Sequence, residues 1–166
     1  VEDIANCELR PTFVSLVDES GDGLDVLQKL RNHKVNTDYI WKTRDGMGTW
    51  LAVFDNDGDV AASISKRPNL LPIVDILDQH GDEIFANADS VIVEIDIDKD
   101  IVKRTLKQKK KYGKKVFSVV GNMSIALERR DFLQSVDCFV CNLQEAGILF
   151  ADDFEAMAGQ QMMEIL

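Results

Sequence analysis

The sequence predicts an α/β fold, a parallel sheet flanked by helices, with a small antiparallel β element set into it. Two observations lead there. Short apolar runs alternate with segments of helical spacing along most of the chain, and strand–helix repetition of that kind means βαβ units and parallel pairing. One stretch, from about residue 38 to 66, breaks the alternation with Thr- and Trp-bearing runs around the turn Asn56-Asp57-Gly58, which is a hairpin signature.

Taken in order, Thr12–Val17 reads as a strand and Ser20 to about His33 as a helix with apolar Leu24, Leu27 and Leu30. The hairpin region comprises Tyr39–Thr43, Thr49–Phe54 and Val60–Ile64, only partly alternating, as expected of a small sheet with one wet face. Helical spacing returns after Pro68. A helix through Ile73–Leu77 leads to a strand at Ser90–Ile95 and a helix from about Asp98 to Tyr112. Then come the strand Val116–Val120, a helix around Ser124–Leu133, the strand Cys138–Cys141 and helical residues to the end. No repeat or low-complexity linker divides the chain, so its 166 residues fit one domain with a real core.

Composition excludes several function classes. A formal net charge of −10 argues against a nucleic-acid or anionic-membrane partner. No apolar run approaches a membrane span, and Val1-Glu2-Asp3 does not resemble a signal peptide. Three cysteines, Cys7, Cys138 and Cys141, suit a reducing, cytoplasmic setting better than a disulfide framework. The chain starts without Met and ends on an apolar run, so both ends read as cut.

The polar residues collect where strands end. Strand 90–95 finishes in Glu94 and Asp96, strand 116–120 in Gly121-Asn122, and strand 138–141 in Asn142 with Glu145. Ligands of open α/β sheets bind outside the carboxyl ends of the strands. Asn142-x-x-Glu145 places an amide and a carboxylate one turn apart at a helix start, where phosphate and hydrated Mg²⁺ can be held together. The same spacing is a variant of the capping box, a purely structural device. Three strand ends in succession suggest one polar crevice.

Other constellations carry less. Cys138-x-x-Cys141 has no second Cys or His pair nearby to complete four metal ligands, and reads as two core cysteines on opposite faces of a strand. The lysines at 107, 109, 110, 111, 114 and 115 fall at a helix end, where cations answer the dipole. Trp41 and Trp50 would either cover a substrate or partner, or fill the apolar face of the hairpin. Asp18-Glu19 after the first strand resembles the acidic pair of a phospho-accepting receiver domain. The hairpin insertion and the missing Lys after the last strand speak against that reading.

Along nearly its whole length the chain resembles an internal stretch of the ribokinase-like (PfkB) carbohydrate kinases. Those enzymes carry a strand ending Val-Asp and then Asn-x-x-Glu-Ala; here stand Val136-Asp137 and Asn142-Leu143-Gln144-Glu145-Ala146. Asn122 matches a polar strand-end position, with Met123 in place of the usual proline. Val17, Gly23 and Val35-Asn36-Thr37-Asp38-Tyr39-Ile40 resemble the segment leading into the family's β lid, Asp57-Gly58 resembles the turn between its lid strands, and Thr49 a threonine common in the lid strand before it. Asp18 and Ser20 depart from a Gly and an Asp usual there.

The resemblance implies ATP and Mg²⁺ as cofactors, with Asn122 and Asn142 on the nucleotide phosphate path and Glu145 acting on Mg²⁺ through water. Trp41 and Thr49 become lid or substrate residues. It also implies that the Gly-Gly sugar segment and the Gly-Ala-Gly-Asp motif bearing the catalytic base lie outside this chain, which then supplies no catalytic base. The expected function is a kinase of a small sugar or nucleoside, seen as an inactive fragment, with a homodimer through the lid. The alternative is a non-catalytic sugar-sensing or dimerisation domain. A downstream Gly-x-Gly-Asp in the longer sequence would separate the two.

Overall fold

Asp18 and Ser20 turn the chain from its first strand into its first long helix. The Asp18 carboxylate accepts the Ser20 backbone N–H at 3.0 Å and the Ser20 hydroxyl, and that hydroxyl accepts the Gly23 N–H at 3.2 Å. A hydroxyl at this position satisfies a helix-start donor that would otherwise be orphaned. The computed structural model describes residues 1–58, 60–121, 125, 127–154, 157 and 159–165. It falls into two units, Val1–His80 and Gly81–Leu166.

The first unit carries α1 (Glu2–Asn6), β1 (Ser15–Val17), α2 (Gly21–Asn32), β2 (Ile40–Lys42), β3 (Thr49–Phe54), β4 (Val60–Lys66) and the start of α3 (Pro72–Asn87). β1 and β2 pair in parallel, Leu16 opposite Trp41, with α2 as the crossover. Leu27, Leu30, Val17, Val35 and Ile40 form the core between them. Leu24 is half-exposed and lies outside this face.

The lid expected over residues 38–66 needs a correction at its start. Tyr39–Thr43 does not join the antiparallel element; its central residues form β2, beside β1. The cause is burial, because Ile40 fills the α2 core and a turn of the chain toward β3 would strip it out. The antiparallel pair is β3 with β4, from Thr49 opposite Lys66 to Phe54 opposite Val60, with a register shift after Val53. The expected single wet face is also absent. Trp50, Leu51, Phe54 and Ile64 are 61%, 60%, 57% and 72% exposed, and the register puts Leu51 and Ile64 on one face and Trp50 and Phe54 on the other.

The second unit is a parallel three-stranded sheet in the order β5 (Ser90–Glu94), β6 (Lys115–Val119), β7 (Cys138–Val140). Its further helices are α4 (Lys99–Tyr112), α5 (Arg130–Leu133), α6 (Leu143–Phe150) and α7 (Gly159–Ile165). Asp98 caps α4 by accepting the Asp100 N–H at 2.8 Å, and Gly113 ends it in the left-handed region at φ 62°, where glycine meets no Cβ penalty. Ile95, Val102 and Phe132 form the buried centre. Of the helix expected around Ser124–Leu133, Arg130–Leu133 is a regular turn, and residues 122–124 and 126 lie outside the described residues.

Candidate functional site

β5 and β6 each deliver polar groups at their carboxyl ends. Asp96, two residues past β5, is 2% exposed, whereas Glu94 at the strand end is exposed. Both lean over Gly121, just beyond β6. A methyl group on Gly121 would lie 2.8 Å from Glu94 Oε1 and 3.6 Å from Asp96 Oδ2. Glycine therefore leaves room for the Glu94 carboxylate at this strand end, whereas Asp96 would stand at ordinary contact distance.

The segment bearing Asp96 is pinned from the β6 side. Arg129 Nη1 donates to the Ile95 carbonyl at 2.9 Å and also to the Ile97 carbonyl. Sequence reasoning missed this residue, since an arginine that binds carbonyls across thirty positions leaves no local pattern.

β7 hands over to α6 through Asn142, the helix N-cap. Asn142 Oδ1 accepts the Glu145 N–H at 2.8 Å, and Glu145 Oε2 accepts the Asn142 N–H at 2.8 Å. This is a complete capping box. It uses one atom of each side chain, and Asn142 Nδ2 and Glu145 Oε1 have no partner among the described residues. Burial, and next the Glu145 charge, push the nearby Cys141 thiol above its ordinary value.

The remaining candidates are dispersed. Asn122 lies outside the described residues. Trp41 is half-buried on the parallel pair, and Thr49 is exposed at the start of β3. Cys138 is exposed and Cys141 half-buried, so the expected pair of core cysteines is corrected for Cys138, whose strand lies at the sheet edge. Among the described residues no three His, Cys, Asp or Glu side chains group to hold a metal, and no helix is long and apolar enough to cross a membrane. Mg²⁺ does not require such a cage, because it keeps several waters and takes one or two carboxylates together with substrate phosphates. The unengaged Glu145 oxygen fits that donor set. In the lysine run, Lys109 pairs with Asp137 and Lys111 with Asp82, each at 2.7 Å.

No protein-family model matches the chain. It is 32% identical over 138 residues to the guanosine-inosine kinase of Exiguobacterium acetylicum, covering 82% of this chain and 46% of that protein. The 2-dehydro-3-deoxygluconokinase of Thermotoga maritima superposes with a TM-score of 0.80 at 17% identity, over 99% of this chain and 54% of the other. Arabidopsis thaliana ribokinase, solved with ribose and ATP, superposes at 0.75 with 21% identity, over 99% and 53%. The chain thus carries the ribokinase-like fold of the PfkB sugar kinases, and it spans about half the length of the relatives it matches.

Proposed function

We propose that the protein containing this chain transfers the γ-phosphoryl group of ATP to a hydroxyl of a small sugar or nucleoside. The observation that carries this reading is the 32% identity to a guanosine-inosine kinase over 82% of the chain. The strand-end geometry supports it. In this reading Asn142 Nδ2 and Asn122 face the phosphate path, and Glu145 Oε1 holds an Mg²⁺ water. That ion would neutralise charge on the transferring group, which is much of what phosphoryl transfer requires of a protein. Thr49 and Trp41 would meet the substrate side, and the exposed β3–β4 pair would join two copies. The free thiols fit a reducing cytoplasm.

The 166 residues alone would be inert, because they offer no base for the attacking hydroxyl. The test is ATP consumption with guanosine, inosine, ribose and other sugars, run on this chain and on the longer protein. Turnover by the longer protein and none by the chain is the expected outcome. Turnover by the chain would reveal an unassigned base. A longer protein that binds sugar without consuming ATP would favour a sensing or dimerisation domain instead.

A further inference from the structure

In the first unit, the amino end of β1 faces a solvent-open surface cavity of about 800 Å³ whose charged lining side chains are all exposed. Its walls come from the loop before β1 and the end of α2, so it lies at the opposite end of β1 from Asp18. Three cations line it: Arg10 from the loop, Arg31 from the last turn of α2, and Lys34 just beyond that helix. One carboxylate, Glu8, accompanies them. That is a local excess of positive charge in a chain whose formal net charge is −10.

Among the described residues none of the three cations has a carboxylate within ion-pair distance. Arg31 gives only its Nε, to Thr37 Oγ1 at 3.2 Å, so its two terminal amino groups remain as a fork. Asn36 uses its carbonyl oxygen on the Asp38 N–H at 2.9 Å, leaving its amide hydrogens as further donors in the same wall. Arg31 and Lys34 also answer the carboxyl-terminal dipole of α2. Arg10, on a loop, has no helix end to answer.

We propose that this cavity binds a small phosphate-bearing anion, at a site separate from the strand carboxyl ends. A guanidinium fork takes two phosphate oxygens at once, and a lysine adds a point charge beside it. The volume suits anything from a free phosphate to a nucleotide. Glu8 opposes the anion and moderates its affinity. This assignment stands whether or not the protein is a kinase.

The test is an NMR titration of the longer protein containing this chain, with pyrophosphate as the probe and parallel arms of inorganic phosphate and AMP. The expected result is saturable movement of the Arg10, Arg31, Lys34 and Asn36 amides. Arg10→Gln should weaken binding by about tenfold, as loss of a charge-assisted contact does. Lys34→Asn should do the same without unfolding the chain, because Lys34 sits at φ 60°, a conformation that Asn tolerates better than Lys. Glu8→Gln should tighten binding by roughly threefold by removing a like charge. AMP saturating tighter than phosphate would assign a nucleotide, and the reverse order a free phosphate. Amides that do not move, or move equally with matched chloride or in all variants, would overturn the site. So would movement confined to Asn142 and Glu145.

Discussion

Asp137 Oδ2 lies 2.7 Å from Lys109 Nζ and accepts the Val116 backbone N–H at 2.7 Å with the same oxygen. Lys109 also donates to the Ser135 carbonyl at 2.7 Å, and the Asp137 N–H returns to the Val116 carbonyl at 2.9 Å. One carboxylate therefore fastens α4, the start of β6 and the entry to β7. That entry positions Asn142 a few residues on.

The Lys109 ammonium, then the Val116 N–H, hold the Asp137 carboxyl below its ordinary range, and Lys111 does the same for Asp82. Groups whose folded values are lowered contribute stability that is complete above the unfolded value, about 3.9 for aspartate. It is lost as pH falls through the lowered folded value. Asp137→Asn should lower the urea midpoint at pH 7 and flatten its decline below pH about 4. A variant whose acid profile matches the unchanged protein would show that this carboxylate contributes nothing.

Gly46 is buried against the end of β1, where a Cβ would lie 2.2 Å from the Val17 carbonyl oxygen. Backbone cannot swing aside as a side-chain tip can. Gly46→Ala should cost about 3 kcal/mol in denaturant unfolding, the upper range for overpacking. Gly121→Ala is the contrast, since the atom it meets is the mobile end of Glu94. It should leave the unfolding midpoint nearly unchanged while displacing that carboxylate, which, if the longer protein is the kinase proposed above, would be visible as lost activity. Equal destabilisation by both would mean that Gly121 serves packing alone.

The alternation of apolar runs and helical spacing was enough to locate β1, β5, β6 and β7, because strands of a parallel sheet read as short continuous apolar runs. The helix starts at Ser20 and Asp98 were legible, though not their roles as caps, and Asn142-x-x-Glu145 was legible as a box. The partner of Tyr39–Thr43 was not. Three residues centred on Trp41 fit either neighbour, and only the burial of Ile40 under α2 decides for β1. The α1 helix was missed too, since it buries none of its residues and so shows little apolar period. The Glu94, Asp96 and Gly121 grouping could be guessed from strand ends, but Arg129 depends on folding across distant segments.

The β3–β4 ribbon exposes apolar groups on both faces, and a lone two-stranded hairpin is marginal in water. Leu51 stands directly opposite Ile64. If two copies join through this ribbon, Leu51→Lys with Ile64→Lys should turn a dimer into a monomer in sedimentation velocity. The monomer's own unfolding should shift little, because neither residue belongs to a core. An unchanged protein that sediments as a monomer across micromolar concentrations would remove the ribbon from the list of self-association surfaces.

Asn142 and Glu145 offer the sharpest separation of structure from chemistry. Their mutual hydrogen bonds, both 2.8 Å, are what any capping box provides, so stability alone says nothing about a phosphate or magnesium role. Asn142→Ala removes the cap and should cost about 1 kcal/mol. Glu145→Gln keeps an oxygen for the Asn142 N–H, and glutamine is an accepted partner in the box. Its unfolding midpoint should therefore stay close to that of the unchanged protein. What it loses is the negative charge on the other oxygen. If the longer protein is the kinase proposed above, this should appear as a higher Mg²⁺ requirement and a lower kcat, with sugar or nucleoside binding preserved. A Glu145→Gln enzyme with an unaltered Mg²⁺ dependence would reduce Asn142-x-x-Glu145 to a helix cap, and the metal would have to be held elsewhere on the strand ends.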